Sequence, residues 1–374
     1  MKKTMTAVVA GALVLAVASP ALAAPALANT ALANTGSSPT SLQSRLDRLT
    51  ADPALPGALA TVRERGGAES VTRSGTAEVG TGKPMIGAEG RFRIASMSKP
   101  IIAATVLALA ERGKIDLDAP IERYLPGVVR GTGEGAAIDG RKITVRMLLQ
   151  QTSGLREFTD VVEWVEPMPD FLKVALARKP TRRGEFAYAN TNYLVAGMLV
   201  AEVTGRTYQQ ASRDLVLVPY GMRDTYWPEK GEMGLRGPHA HTYGVNPARP
   251  EDGPVDLTDQ LPTELFGPSG GLVSTPSDLN RFWSRAPLPD MTRTLTPIKQ
   301  EGWPKGARYG FAVARTSTSC GTGWFHGGDM PGASVISGRD RAGRTATVYV
   351  TGLTAAPKQR EKLLAAFDSA LCGR

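Results

Sequence analysis

Residues 99–112 read KPIIAATVLALAER, a run with helical spacing and almost no polar face. A helix that is apolar nearly all round has to be covered on every side, so the fold must enclose it. Pro100 stands early in that run, where its missing N–H costs least. Lys99 is the awkward residue. Lysine is rarely fully buried unless it is paired, and desolvation lowers its pKa, which suits it to accept a proton.

Strand character gathers near both chain ends and helical character between them. Leu42, Leu46 and Leu49 space a helix that stops near Pro53. Residues 57–64 and 68–79 predict a hairpin around Gly66-Gly67, and Arg91 to Ile94 form a short strand leading into Ser96. Val145 to Gln151 and Tyr193 to Thr204 predict helices, the second closed by Gly205. Strands are expected again at 308–314, 323–327, 333–337 and 345–351, followed by an amphipathic helix through Leu363, Leu364, Phe367 and Leu371. The expected fold is α+β: one antiparallel sheet built from both ends, flanked by the terminal helices, with a helical lobe inserted at about residues 97–304. The site would lie in the cleft between lobe and sheet.

The N-terminus reads as a secretory signal, residues 1–28. Lys2 and Lys3 precede an apolar run to about Ala18, with cleavage signals ending at Ala23, Ala28 or Ala33. The run is shorter than the roughly 20 residues of a transmembrane helix, and no later segment is apolar enough to span a bilayer. Residues 29–40 are small and polar, and read as a flexible leader to a domain at 41–374. An exported protein is expected to bridge its only two cysteines, Cys320 and Cys372, rather than bury them as free thiols. The chain-entropy model gives such a link about 4 kcal/mol. A net charge of +9 suits attraction to anionic cell-wall polymer. The basic residues are scattered rather than clustered with aromatics, which argues against nucleic-acid binding.

Three short motifs carry the chemistry. Ser96 and Lys99 are one helical turn apart, a nucleophile with an amine to deprotonate it. Lys99 is the only lysine with a serine three residues before it, and Tyr188 the only tyrosine with an asparagine two residues after it. The Ser96 N–H, at a helix start, is an unsatisfied donor suited to an oxyanion. In Tyr188-Ala-Asn190 the phenol can relay a proton and the amide can hold a substrate carbonyl or Lys99. His326-Gly-Gly328 ends a strand, and its glycines clear an edge along which a substrate backbone can pair. The bland readings are an N-capping Ser96, a core Tyr188 beside a capping Asn190, and a structural His326. His239 and His241 have metal-like spacing but no third ligand, and neither a metal nor any other cofactor is expected. Gly267-Pro-Ser-Gly-Gly271 imitates a nucleophile elbow, with Asp278 and His326 following in a permitted order. It is flanked by neither a buried strand nor an immediate helix, and reads instead as a tight turn.

On these motifs the chain resembles the penicillin-recognising serine hydrolases, in the branch of class C β-lactamases, DD-carboxypeptidases, related esterases and D-aminopeptidases. The segments 92–99 (FRIASMSK), 148–155 (LLQQTSGL) and 270–279 (GGLVSTPSDL) look like recurrent pieces of that branch, so the resemblance runs from about residue 41 to the end. It implies a β-lactamase/transpeptidase-like fold and an acyl-enzyme mechanism, with Ser96 attacking and Lys99 and Tyr188 managing the proton. Asn190 would position substrate, and the N–H groups of Ser96 and Asp329 would form the oxyanion hole. Histidine in the third motif looks like the secreted D-alanyl-D-alanine carboxypeptidases. Small peptides, esters or β-lactams are the implied substrates, for an enzyme expected to be secreted and monomeric. The sequence departs from the family in two places. Gly327 stands where a threonine usually helps hold a substrate carboxylate, and Gln150-Gln151 replaces a frequent Thr-His pair.

Overall fold

The computed structural model describes residues 41–159, 169–245, 249–262 and 266–373. The expected signal and leader lie outside these residues. From the N-terminus come α1 (Leu42–Thr50), β1 (Gly57–Arg63), β2 (Glu69–Gly75), β3 (Phe92–Arg93) and α2 (Ser98–Glu111). The middle carries α3 (Val145–Leu149), α4 (Phe171–Leu176), α5 (Asn190–Thr204), α6 (Tyr208–Ser212), α7 (Val218–Tyr220), β4 (Tyr243–Val245) and β5 (Pro254–Asp256). Then follow α8 (Gly267–Gly270), β6 (Val273–Ser274), α9 (Pro276–Arg285), α10 (Leu288–Met291) and β7 (Thr296–Pro297). The chain closes with β8 (Arg308–Tyr309), β9 (Ala314–Thr318), β10 (Gly321–Met330), β11 (Ala333–Asp340), β12 (Thr345–Val350) and α11 (Pro357–Cys372).

The main sheet is antiparallel, in the order β2-β1-β12-β11-β10-β9-β8-β7. Both chain ends build it, as expected. The two ends meet where β1 pairs with β12, Ala58 opposite Val350 and Val62 opposite Ala346. Helices cover both faces, which is why these strands read as nearly unbroken apolar runs. Ala58, Ala60 and Val62 pack with Leu46 and Leu49 of α1 and Leu363 and Phe367 of α11. Leu59, Val335 and Tyr349 point the other way, into the core shared with α2, α5 and α9. The run that began the sequence reading is α2, whose residues Ser98–Val106 are all buried.

Several boundaries differ from expectation. Ser96 does not open the α-helix: it lies in a 3-10 turn, Ala95–Met97, which hands over to α2 at Ser98. Residues 308–314 do not form one strand. Gly310 lies so close to α10 that a Cβ would come within 2.1 Å of the Met291 carbonyl oxygen, and Ala312 takes φ 54°, so the segment folds back as β8 and β9. α5 starts at Asn190 rather than Tyr193. The expected C-terminal helix is α11, with proline in its first turn. Cys320 and Cys372 are bonded, tying the turn before β10 to the end of α11.

Candidate active site

Ser96 is presented by a strained turn. Ala95 adopts φ 46°, a left-handed backbone that costs a non-glycine residue about 1–3 kcal/mol. The surroundings hold it there. Ile94 N donates to the Leu272 carbonyl at 3.1 Å, and the Ser98 hydroxyl donates to the Ala95 carbonyl at 2.8 Å while accepting from Leu272 N at 3.1 Å. Ile94, Ala95, Met97, Ser98 and Lys99 are all buried, and Ser96 alone among them keeps solvent access.

Lys99 is fully buried, and its Nζ has three acceptors: Ser96 Oγ at 2.9 Å, Asn190 Oδ1 at 2.6 Å and the Ser269 carbonyl at 2.7 Å. Protonated, the amine donates to all three. Neutral, it donates to two and turns a lone pair to the serine. Burial lowers its pKa to about 7, opposed by the charge of Glu157. Tyr188 moves the other way: burial raises its phenol above the ordinary range, against a hydrogen bond with Ser96. The amine lies 4.9 Å from the Tyr188 ring centre and 5.7 Å from that of Tyr193. Of the two groups that can relieve Ser96 of its proton, the amine is the one present as a free base near neutrality, since the phenol stays protonated.

Asn190 is the first residue of α5, and the cap residue before it, Ala189, has no side chain to close the helix. Two residues from the α3 side do so instead. Gln151 Oε1 accepts from Ala189 N at 3.0 Å and from Asn192 Nδ2 at 2.5 Å. Glu157 Oε2 accepts from Asn190 N at 2.6 Å. Gln150 donates to the Thr294 carbonyl at 2.8 Å. The glutamine pair thus supports the walls of the site without touching Ser96 or Lys99.

The opposite wall is β10. Its first half, Gly321–Phe325, pairs with β9, whereas residues 326–330 pair with β11 alone and leave an edge toward the Ser96 turn. That approach is close: a Cβ on Gly328 would lie 2.1 Å from the Ile94 carbonyl oxygen, so only glycine fits. Gly327 is different. A Cβ there meets nothing nearer than 3.5 Å, and its neighbours include Arg360 Nη1 at 4.0 Å. Arg360 also pairs with Asp329, whose other oxygen accepts from the Ser334 hydroxyl at 2.7 Å.

His326 is buried between Tyr188, Trp303 and Tyr309. Its Nδ1 lies 2.5 Å from the Gly327 carbonyl and its Nε2 2.9 Å from the Tyr309 hydroxyl. A carbonyl only accepts, so Nδ1 carries the proton and Nε2 accepts from the phenol. Desolvation, aided by the charge on Lys99, lowers its pKa to about 3, so the ring is neutral near pH 7. Both nitrogens are occupied, and the histidine orders the aromatic wall.

The elbow-like segment has another part. The Ser269 hydroxyl donates to the Phe266 carbonyl at 2.6 Å, and Asp278 is engaged by Thr225, Asp224 N and Arg281. The contribution of Ser269 is its carbonyl on Lys99. His241 pairs with Asp256 and His239 with the Gly237 carbonyl, and no metal-binding cluster occurs among the described residues. Ser269 and Glu157 are the site residues that the sequence did not disclose. A main-chain acceptor leaves no side-chain signature, and a single glutamate has no periodicity.

Residues 42–370 match the family model described as Beta-lactamase. Penicillin-binding protein 4 of Amycolatopsis lactamdurans is 28% identical over 294 residues, covering 76% of this chain and 74% of that protein. Esterase EstB of Burkholderia gladioli is 30% identical over 235 residues, 57% of this chain and 58% of the esterase. Among solved structures, a D-stereospecific amidohydrolase from Streptomyces sp. superposes with a TM-score of 0.73 at 28% identity, covering 89% of this chain and 98% of that one.

Proposed function

Because the chain belongs to the beta-lactamase family of serine hydrolases, we propose that it works through a Ser96 acyl-enzyme as a D-stereospecific peptidase of the D-alanyl-D-alanine carboxypeptidase kind. One observation carries the mechanism: a fully buried lysine amine 2.9 Å from a solvent-accessible serine hydroxyl. Lys99 takes the Ser96 proton as Oγ bonds to the substrate carbonyl carbon. The resulting oxyanion sits on the N–H groups of Ser96 and Asp329. Collapse breaks the scissile C–N bond, and the proton passes by way of Tyr188 to the leaving amine. Water, giving a proton to Lys99, then adds to the acyl carbon, and cleavage of the ester bond to Oγ releases the acid as Ser96 takes the proton back.

The substrate class rests on β10. A D-alanyl-D-alanine end needs a cation for its carboxylate, and Arg360 lies beside Gly327 where the family's threonine is missing. The absent hydroxyl favours a second reading, an amidase or esterase without that carboxylate. The names of the Streptomyces and Burkholderia relatives are in keeping with it. We read residues 1–28 as a removable signal, 29–40 as a leader and 41–374 as the hydrolase, with its lobe at about 97–304. Among the described residues no helix is long and apolar enough to cross a membrane, and the disulfide is compatible with export.

The test is a panel of fluorescent penicillin, a D-Ala-D-Ala peptide, a D-amino-acid amide, nitrocefin and a short ester. The wild type labels and cleaves the peptide, while Ser96→Ala loses labelling and about a million-fold of kcat/KM. A wild type that neither labels nor cleaves any of them sinks the mechanism. Cleavage of the amide or ester but not the peptide moves the assignment to the second reading.

A further inference from the structure

Glu157 lies outside all three motifs, yet its carboxylate reaches the first turn of α5. Oε1 accepts from Phe158 N at 2.9 Å and Thr159 N at 3.0 Å, which fixes the side chain in its own loop. Oε2 is then free to take Asn190 N at 2.6 Å. The Arg178 guanidinium holds the Glu157 carbonyl, so the loop is tied down from behind as well. The carboxylate does the work that Ala189 cannot, and it sets a negative charge at the positive end of a 15-residue helix. Asn190 is the residue it secures, and Asn190 Oδ1 accepts from Lys99 Nζ at 2.6 Å. One carboxylate, one backbone N–H and one side-chain amide therefore connect this loop to the amine beside Ser96.

We propose that Glu157 is a positioning residue of the reaction: it holds Asn190 against Lys99 and is the counter-charge against which Lys99 gives up its proton. This rests on the Ser96–Lys99 mechanism above. The groups facing Lys99 are Ser96 from the turn before α2, Tyr188 and Asn190 at the start of α5, and Tyr193 within α5. The Ser269 carbonyl of α8 and the His326 ring of β10 complete the set among the described residues. Burial keeps His326 neutral down to about pH 3 and the tyrosines protonated well above neutrality, so Lys99 is the group that changes charge near pH 7. Glu157 favours its charged form. Without that charge the amine is free at lower pH.

The experiment compares wild type, Glu157→Gln and Glu157→Ala on an activated ester from pH 5 to 9, with thermal unfolding as the check on folding. Glutamine removes the charge and keeps one oxygen, which serves Asn190 N only with its NH2 group turned toward Phe158 N and Thr159 N. It is expected to move the acid limb of kcat/KM toward lower pH and to lower the plateau less than alanine does. Alanine moves the limb the same way and also lowers the plateau about 10- to 100-fold, because Asn190 loses its anchor. An acid limb in Glu157→Gln that matches the wild type overturns the counter-charge role. An alanine variant with wild-type plateau and limb overturns the positioning role. If Glu157→Ala does not fold, the limb of Glu157→Gln alone decides. A wild type without activity counts against the acyl-enzyme mechanism instead, so the two failures are distinguishable.

Discussion

The two walls of the cleft are built on different plans. The helical wall, from the Ser96 turn through α2 and α5 to Ser269, is closed. Its lysine is wholly buried, each of its three acceptors is within hydrogen-bonding reach, and side chains from the α3 loop hold the start of α5. The strand wall, residues 326–330, is open: a free edge, a glycine with room for a side chain, and an arginine–aspartate pair at its rim. Proton transfer needs fixed distances and its side chains sit in the closed wall, while the open one would add a single backbone N–H for the oxyanion. Selectivity needs a surface that can be altered without disturbing those distances, and sits in the open one. Changes to the first wall should abolish turnover of every substrate alike, whereas changes to the second should re-rank substrates.

After the loss of Ser96 itself, the largest effect is expected at Lys99. Lys99→Met keeps the length of the side chain but not its base, and should lower kcat/KM about a thousand-fold for peptide and ester alike. In the wild type the amine must be neutral to accept a proton, so activity should rise with pH through about 7 and level off above it. A pH–rate profile of the ester reaction measures both. Uneven losses across substrates would break the division between the walls.

Next comes His326, which belongs to the strand wall but is buried like the closed one. Its pKa is depressed, from 6.5 to about 3, so its contribution to stability is complete above pH 6.5 and is lost as pH falls toward 3. By linkage, moving from pH 7 to pH 4 should cost about 3 kcal/mol on its account. Urea unfolding at the two pH values, compared with His326→Gln, isolates this loss, because the glutamine variant lacks it. An equal drop in both proteins would mean that the ring is not held neutral.

The smallest effect should be the most selective. Gly327→Thr adds a side chain where the nearest neighbour of a Cβ is 3.5 Å away. It should lower KM for a D-Ala-D-Ala peptide by up to about tenfold, the worth of one hydrogen bond, and leave short-ester hydrolysis unchanged. Steady-state kinetics on the two substrates read it directly. A parallel change in both would show that the open wall is not independent of the chemistry.

The sequence disclosed the two walls unequally. Short β-branched and aromatic runs near both ends were enough to predict the sheet, although β1 and β12, covered on both faces, carry little period-2 alternation. Ser96, Lys99, Tyr188 and Asn190 were legible because each side chain has a scarce chemistry at a fixed spacing. The 3-10 turn under Ser96 was not, since Ala95 is an ordinary residue forced to φ 46° by contacts from Leu272 and Ser98. Nor was the hairpin at Gly310, which a neighbouring carbonyl of α10 imposes. Ser269 and Glu157 come from segments remote in the chain, where proximity depends on the assembled fold and local pattern carries no trace of it.

The pairing of β1 with β12 has a kinetic consequence. Gly57 N donates to the Thr351 hydroxyl at 2.8 Å, across a separation of 294 positions. One pairing of the sheet is thus a contact between its first and last strands in sequence, the slowest kind to form. The strands β7 to β11 each pair with a neighbour close in sequence, but β1 and β2 have no place in that sheet until β12 is there to bridge them to β11. The joining of β1 and β2 to the other strands is therefore the last step in assembling the sheet.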